Sequence, residues 1–153
     1  MELKKISGNL TVSPQISVSD IAALKAGGFR SIICNRPDGE GADQPTFDEI
    51  EAAAKAAGIE TRYIPIKSGM VRDEDAEDFG KALDELPAPT LAYCRSGTRS
   101  ATLWSLSQAR TLPIAHILAV TKGAGDDRNG GARRIANGGK TPTDTGDAHY
   151  KVV

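Results

Sequence analysis

The sequence predicts an α/β fold with a central parallel sheet of four to five strands flanked by helices. Short β-branched, apolar segments alternate with longer amphipathic segments, an order typical of parallel strands joined by crossover helices. Strands that alternate with helices of ten to fourteen residues are typical of a parallel sheet that helices cover on both faces. A chain of 153 residues is long enough to bury a core of this kind as a single domain.

Local start and stop signals place the elements along the chain. Thr46 and Glu49 stand at capping-box spacing, and Gly58 ends the helix that they begin. Pro87 ends the next helix, because proline cannot continue it. The predicted elements are strands at 9–12, 29–34, 60–67 and 90–93, and helices at 17–28, 46–58, 73–86 and 100–109.

The signal weakens in the last third of the chain. A fifth helix is predicted over 112–125, with Pro113 in its first turn. We expect a catalytic domain over 1–137 and a C-terminal arm or flexible tail over 138–153, because the last segment is polar with one apolar end.

Composition excludes several classes of function. Lys and Arg total 19 against 20 Asp and Glu, so we expect neither a nucleic-acid partner nor a membrane surface as partner. No apolar segment approaches bilayer length and no signal peptide is visible, which favours a cytoplasmic location. Two cysteines without a CxxC pair and two scattered histidines predict no metal site, and nothing indicates a cofactor.

Cys94 stands between a predicted strand and a predicted helix, in the segment YCRSGTRS. Ligands of open α/β sheets bind at the carboxyl ends of strands, and a helix start adds main-chain N–H groups and a positive dipole end. A buried cysteine beside an ordinary turn is the simpler alternative, but two arginines, a glycine and hydroxyls in one loop favour a thiolate nucleophile. We predict Cys94 and Arg99 as catalytic residues and Arg95, Ser96, Gly97, Thr98 and Ser100 as ligands of a small anionic substrate.

This loop resembles the active-site loops of rhodanese sulfurtransferases and of tyrosine and dual-specificity phosphatases. Residues 3–120, through KKISGNLTVSPQIS, NRPDGE and AYCRSGTRS, resemble the phosphatase-like domain of beta-lactamase hydrolase-like proteins. The resemblance implies a dual-specificity-phosphatase-like fold, with the active-site loop between the last strand and the following helix. It also implies Cys94 as nucleophile, Arg99 as anion-binding arginine and a persulfide dioxygenase as a possible partner.

The spacing of the loop raises a choice between sulfur and phosphorus chemistry. Arg99 follows Cys94 after four residues, whereas such phosphatases have five, and the shorter loop is similar to that of rhodaneses. We therefore expect a sulfurtransferase that takes sulfane sulfur from thiosulfate or a persulfide onto Cys94. The alternative is a phosphatase with a phosphocysteine intermediate, which requires a general acid such as Asp73, although acids there also complement a helix dipole.

Cys34 supports a third hypothesis, a redox sensor or an anion-binding module without catalysis. It ends a strand that we expect beside the strand of Cys94, where a disulfide would act as a switch. A packed core thiol is the simpler interpretation. Arg36 and Lys67, which also follow predicted strands, either extend the anion site or are solvated loop charges.

Overall fold

A computed structural model of the protein describes residues 1–108. These residues form a five-stranded sheet, four α-helices and one turn of 3-10 helix. The strands are β1 (Lys4–Lys5), β2 (Leu10–Ser13), β3 (Ser31–Cys34), β4 (Glu60–Tyr63) and β5 (Thr90–Tyr93). The helices are α1 (Ile21–Ala26), which follows the 3-10 turn Val18–Asp20, α2 (Phe47–Ala56), α3 (Asp73–Glu85) and α4 (Thr98–Ser107).

The strands lie in the order β1-β2-β5-β3-β4. The last four are mutually parallel, but β1 pairs antiparallel with β2, so the sheet is mixed and not wholly parallel as predicted. The sequence could not indicate β1, because both of its residues are exposed lysines without an apolar pattern. The predicted α/β class with flanking helices is confirmed.

Two helix starts differ from the predictions, while that of α2 follows its signal. The helix predicted from residue 17 begins as the 3-10 turn Val18–Asp20, so α1 itself starts at Ile21. Thr46 Oγ1 accepts a hydrogen bond from the Glu49 amide at 3.2 Å, and the Glu49 carboxylate accepts one from the Thr46 amide at 3.0 Å. This capping box begins α2 as expected. Helix α4 begins at Thr98, two residues earlier than predicted, because Gly97 adopts a left-handed conformation directly before it.

Apolar side chains cover both faces of the sheet, as the predicted fold requires. Neighbouring residues of β5 serve opposite faces, since Ala92 belongs to one buried cluster and Tyr93 to the other. The first cluster lies under α3 and α4 and includes Phe79 and Leu103. Burial on both sides fixes the register of β5 and therefore the place where the chain leaves it.

The topology brings three chain segments together at one edge of the sheet. β5 lies between β2 and β3, and all three run parallel, so their carboxyl ends meet. Gln15, Asn35 and Cys94 follow these three ends. Polar residues from distant parts of the sequence are thus assembled around Cys94.

Some predictions lie outside the described residues. They are the helix over 112–125 and the boundary between 137 and 138. Within residues 1–108, no helix has the length and apolar character needed to cross a bilayer. No group of three or more potential metal-ligating side chains occurs in that same part of the chain.

Candidate active site

Cys94 lies at the centre of the site, directly after β5. Its side chain is fully buried, and its Sγ accepts a hydrogen bond from the Gly97 amide at 3.0 Å. Gly97 has a φ of 93°, a conformation that residues with a Cβ rarely adopt. Glycine therefore permits the turn that directs a main-chain donor at the sulfur.

The start of α4 supplies further donors beside this turn. The first amides of a helix, here those of Thr98, Arg99 and Ser100, have no acceptor within the helix. The other side of the loop is held to the end of β2, because the Gln15 amide donates to the Arg95 carbonyl at 3.3 Å. The loop from Cys94 to Arg99 is therefore held between a strand end and a helix start.

Arg99 connects the sulfur to a carboxylate that the sequence analysis did not identify. Its guanidinium donates from Nη1 to Glu40 Oε2 at 2.6 Å and from Nη2 to Glu40 Oε1 at 2.8 Å. Nη1 also donates to the Ile66 carbonyl at 2.8 Å. The hydrogen bonds that Arg99 donates to Glu40 raise the pKa of Arg99 above its usual value, and Cys94 adds to this effect.

Glu40 joins two buried arginines. Arg36 donates from Nε to Glu40 Oε1 at 3.0 Å and from Nη1 to Gln15 Oε1 at 3.1 Å. Arg36 and Arg99 are only 7% and 8% exposed. The hydrogen bond from Arg99, followed by that from Arg36, lowers the pKa of Glu40, so its carboxylate is ionised at neutral pH. Two positive charges thus share one negative charge beside Cys94.

The remaining loop residues have different environments. Arg95 and Ser96 are exposed, and Ser96 Oγ donates to Thr98 Oγ1 at 3.1 Å. Ser100 is buried, and its hydroxyl donates to Asn35 Oδ1 at 2.8 Å, whereas the sequence analysis expected it to face a bound anion. That hydrogen bond ties the first turn of α4 to the end of β3. The expected role of these residues as substrate ligands stays a prediction.

Cys34 lies on the strand next to that of Cys94, as expected. It faces Tyr93 in the register of β3 and β5, and its Sγ donates to the Arg36 carbonyl at 3.3 Å. Burial raises the pKa of the Cys34 thiol, and both cysteines are free thiols. Cys34 is therefore a buried, hydrogen-bonded core thiol, and a redox partnership with Cys94 stays a prediction.

Asp73 and Lys67 belong to the segment between β4 and α3. Asp73 is the first residue of α3 and is half-buried, while Lys67 is exposed. Asp75, two residues further, accepts from the Arg72 amide at 3.0 Å and caps the helix. The acidic start of α3 therefore has a structural role through Asp75, and the assignment of Asp73 as general acid stays a prediction.

Several solved structures with a similar fold are described as phosphatases or candidate phosphatases. A candidate phosphatase of Neisseria meningitidis superposes with a TM-score of 0.80 at 31% sequence identity, covering 90% of this chain and 99% of that protein. TpbA of Pseudomonas aeruginosa, solved with phosphotyrosine, superposes with a TM-score of 0.62 at 15% identity, covering 88% of this chain and 82% of TpbA. The second likeness shows the fold alone.

Sequence comparison identifies the same domain. Residues 2–111 match the family model of the phosphatase-like domain of beta-lactamase hydrolase-like protein. The beta-lactamase hydrolase-like protein of Agrobacterium fabrum is 37% identical over 109 residues, which are 71% of this chain and 25% of that protein. The matched segment thus spans about a quarter of the length of the curated relatives.

These findings show that the predicted sulfurtransferase is wrong, and they give no support to a persulfide dioxygenase as partner. The prediction took the four-residue spacing between Cys94 and Arg99 as evidence against a phosphatase. The spacing does not decide between sulfur and phosphorus chemistry, because the left-handed Gly97 precedes a helix that begins at Thr98, and Arg99 in its first turn is near enough to Cys94 for Cys94 to raise the pKa of the guanidinium. The resemblance inferred from the sequence is confirmed, and the chain belongs to the family of phosphatase-like domains of beta-lactamase hydrolase-like proteins.

Proposed function

We propose that this protein is a cysteine-dependent phosphatase that hydrolyses small phosphomonoesters through a phosphocysteine intermediate. The observation that carries the proposal is the arrangement at Cys94. Its sulfur accepts a main-chain hydrogen bond from Gly97 and stands beside the start of α4, and Cys94 is near enough to Arg99 to raise the pKa of the guanidinium. Donors of this kind stabilise the charge of a phosphoryl group as it is transferred.

The proposed reaction has two displacements. The Cys94 thiolate attacks phosphorus, the S–P bond forms and the ester P–O bond breaks, and the leaving oxygen takes a proton from a general acid. Water then gives a proton to the base left by that acid and attacks phosphorus, the S–P bond breaks, and inorganic phosphate leaves with the thiolate restored. In both steps Arg99 and the loop amides bind the non-bridging phosphoryl oxygens.

The charge of the site supports an anionic substrate. Arg36 and Arg99 are buried and share the carboxylate of Glu40, which leaves one positive charge without a carboxylate partner among residues 1–108. An uncompensated buried charge is costly, so an anion placed beside it is strongly stabilised. A phosphate ester supplies such an anion.

Entry of the substrate requires a local movement. Cys94 has no exposed surface, and the Arg99 guanidinium lies beside its sulfur. We propose that the phosphoryl group displaces the guanidinium from the sulfur and is then bound between them. Phosphotyrosine, which is bound by the similarly folded TpbA, is a suitable first substrate to assay.

The proposal is tested with p-nitrophenyl phosphate and phosphotyrosine as substrates. We expect release of inorganic phosphate, and we expect a rapidly quenched sample to carry one phosphoryl group on Cys94 in its mass spectrum. Cys94→Ser removes the nucleophile and abolishes turnover. Cys34→Ser is the matched control and is expected to retain activity, because Cys34 is a core thiol that donates a hydrogen bond to the Arg36 carbonyl. Absence of hydrolysis by the folded wild-type protein would refute the proposal.

We propose Asp73 as the general acid that protonates the leaving group. Glu40 is unsuited to this role, because Arg99 and Arg36 hold it ionised and it acts only as an acceptor. Asp73→Asn is expected to slow hydrolysis of phosphotyrosine about tenfold to a hundredfold or more. It should have much less effect on an aryl phosphate with a strongly acidic leaving group, which needs no proton. Glu74→Gln, one residue away, is the control, and equal losses on both substrates would exclude Asp73 as the acid.

A further inference from the structure

Hydrogen bonds connect both ends of the Cys94 loop into one network. The Arg95 carbonyl at the start of the loop accepts from the Gln15 amide, and Gln15 Oε1 accepts from Arg36. Arg36 donates to Glu40, which in turn accepts two hydrogen bonds from Arg99 at the end of the loop. The network thus passes through residues that follow β2, β3 and β5.

We propose that Glu40 and Arg36 are positioning residues, which orient the Arg99 guanidinium for binding of the transferred phosphoryl group. This inference rests on the proposed phosphatase function. Glu40 acts directly on Arg99, and Arg36 acts through Glu40. Neither residue is placed in contact with the reacting atoms.

Glu40 occupies only some of the N–H donors of the Arg99 guanidinium. A guanidinium has five N–H donors in a planar fork. Glu40 accepts a hydrogen bond from one N–H of Nη1 and from one N–H of Nη2. The Ile66 carbonyl accepts from the second N–H of Nη1. The donors that neither Glu40 nor Ile66 uses are Nε–H and the second N–H of Nη2, which lie on the same side of the guanidinium. That pair matches two oxygens of a phosphoryl group.

The same geometry argues against Glu40 as an occupant of the substrate position. A carboxylate that mimicked the substrate would be bound by the Nε and Nη2 side of Arg99. Glu40 instead binds the Nη1 and Nη2 end, and it is held from another direction by Arg36. Phosphoryl binding and the Glu40 ion pair therefore use different donors of one side chain.

Glu40 also depends on Arg36 for its own place. Arg36 is buried, and its guanidinium has two partners on different segments, Glu40 and Gln15. A lysine retains the charge but has no planar fork with which to hold both. Arg36 thereby links the orientation of Glu40 to the segment that also binds the Arg95 carbonyl.

The experiment compares Glu40→Gln with Glu85→Gln in the full chain. Glu85 makes a single exposed ion pair with Arg62 at 3.1 Å, so the control removes the same charge away from the site. The readouts are kcat and KM for p-nitrophenyl phosphate, the affinity for tungstate by calorimetry, and the hydrogen exchange of the Arg99 guanidinium by NMR. Circular dichroism and the Tm establish that each variant is folded.

Glu40→Gln is expected to lower kcat/KM about tenfold to a hundredfold, the loss typical of a misplaced catalytic group. It should also weaken tungstate binding and speed the exchange of the Arg99 guanidinium protons, whereas Glu85→Gln changes none of these. Unchanged activity and unchanged exchange in Glu40→Gln would overturn the proposal. Tighter tungstate binding with higher activity would overturn it as well, because it would show that Glu40 competes with the anion.

Two further results separate this inference from the function on which it rests. A wild-type protein that hydrolyses no phosphate ester refutes the phosphatase, while the exchange of the Arg99 protons still tests the positioning by Glu40. Arg36→Lys is the second variant, should Glu40→Gln fail to fold. We expect a smaller loss of activity in Arg36→Lys than in Glu40→Gln, and wild-type kinetics in Arg36→Lys would remove Arg36 from the network.

Discussion

Helices α3 and α4 begin in opposite ways. The first turn of α3 contains three acidic residues, and Asp75 accepts a hydrogen bond from the Arg72 amide at 3.0 Å. The first turn of α4 contains no acidic residue, and its N-cap is Gly97, which has no side chain to serve as an acceptor. The start of α3 is thus neutralised from within, while that of α4 keeps its positive end for the Cys94 sulfur and a bound anion.

The carboxylates near the two helix starts also come from different parts of the chain. Those of α3 belong to the helix itself, whereas Glu40 reaches Arg99 of α4 from the loop between β3 and α2. A carboxylate held on the far end of Arg99 leaves the amides of α4 accessible to another anion. A helix start can therefore be neutralised by its own acidic residues, as in α3, or left to bind another anion, as we propose for α4.

The largest effect is expected when an acidic residue is introduced into the first turn of α4. Thr98→Asp places a carboxylate in the first turn, where it should repel a phosphate by about 3 kcal/mol and lower kcat/KM about a hundredfold. Thr98→Asn has nearly the same shape without the charge and should retain most activity. Steady-state kinetics of the two variants provide the measurement, and equal losses would show that shape and not charge matters at this helix start.

A smaller effect is expected when the turn before α4 is strained. Gly97→Ala forces a Cβ onto a φ of 93°, at a cost of about 1–3 kcal/mol, and displaces the amide that binds Cys94 Sγ. Gly28→Ala is the matched control, because its φ is 91° and a Cβ there meets no atom within 4 Å.

Urea unfolding and phosphatase kinetics distinguish the two glycines. Both alanine variants should be destabilised, but only Gly97→Ala should also lose activity, by about tenfold. Full activity in Gly97→Ala would show that the main-chain donor to the sulfur is dispensable.

A purely structural effect is expected at the start of α3. Asp75→Asn removes the buried charge that caps the helix and should lower the free energy of unfolding by about 1 kcal/mol. Urea unfolding measures this loss. Because Asp75 caps a helix outside the network of Arg99, and because p-nitrophenyl phosphate needs no proton from Asp73, kcat for this substrate should stay unchanged. A fall in that kcat at constant fold would contradict the contrast between the two helices.

The smallest effect concerns the pH dependence of the Glu40 ion pairs. Arg99 and Arg36 lower the pKa of Glu40 below its usual 4.5, so their stabilisation is complete above that pH and is lost as the pH falls through the lower value in the folded protein. We expect the Tm of wild type to exceed that of Glu40→Gln by about 2–4 °C at neutral pH, because the pair is partly exposed.

Thermal unfolding of both proteins between pH 7 and pH 3 provides the measurement. The difference in Tm should shrink as the pH falls below about 4.5, the ordinary range of a glutamate. A difference that stays constant over this range would show that the charge of Glu40 contributes nothing to stability.

Local sequence signals predicted most of the fold. The capping box of Thr46 and Glu49 and the apolar runs of β3 and β5 placed their elements to within a few residues, because each signal acts between neighbours in the chain. The antiparallel β1 was missed, since two exposed lysines carry no such signal and pair only because β2 offers a free edge. The choice of sulfur chemistry failed for a related reason, as loop length does not reveal where the side chain of Arg99 reaches.

The sequence by itself determined that a cysteine and an arginine share one loop between a strand and a helix, because strand, glycine and helix signals are local. Only the tertiary structure decided the partners of that loop. Glu40 and Arg99 are 59 positions apart, and Asn35 and Ser100 are 65 apart. Such pairs meet because β3 and β5 become neighbours in a parallel sheet, and this neighbourhood depends on the burial of both faces of the sheet.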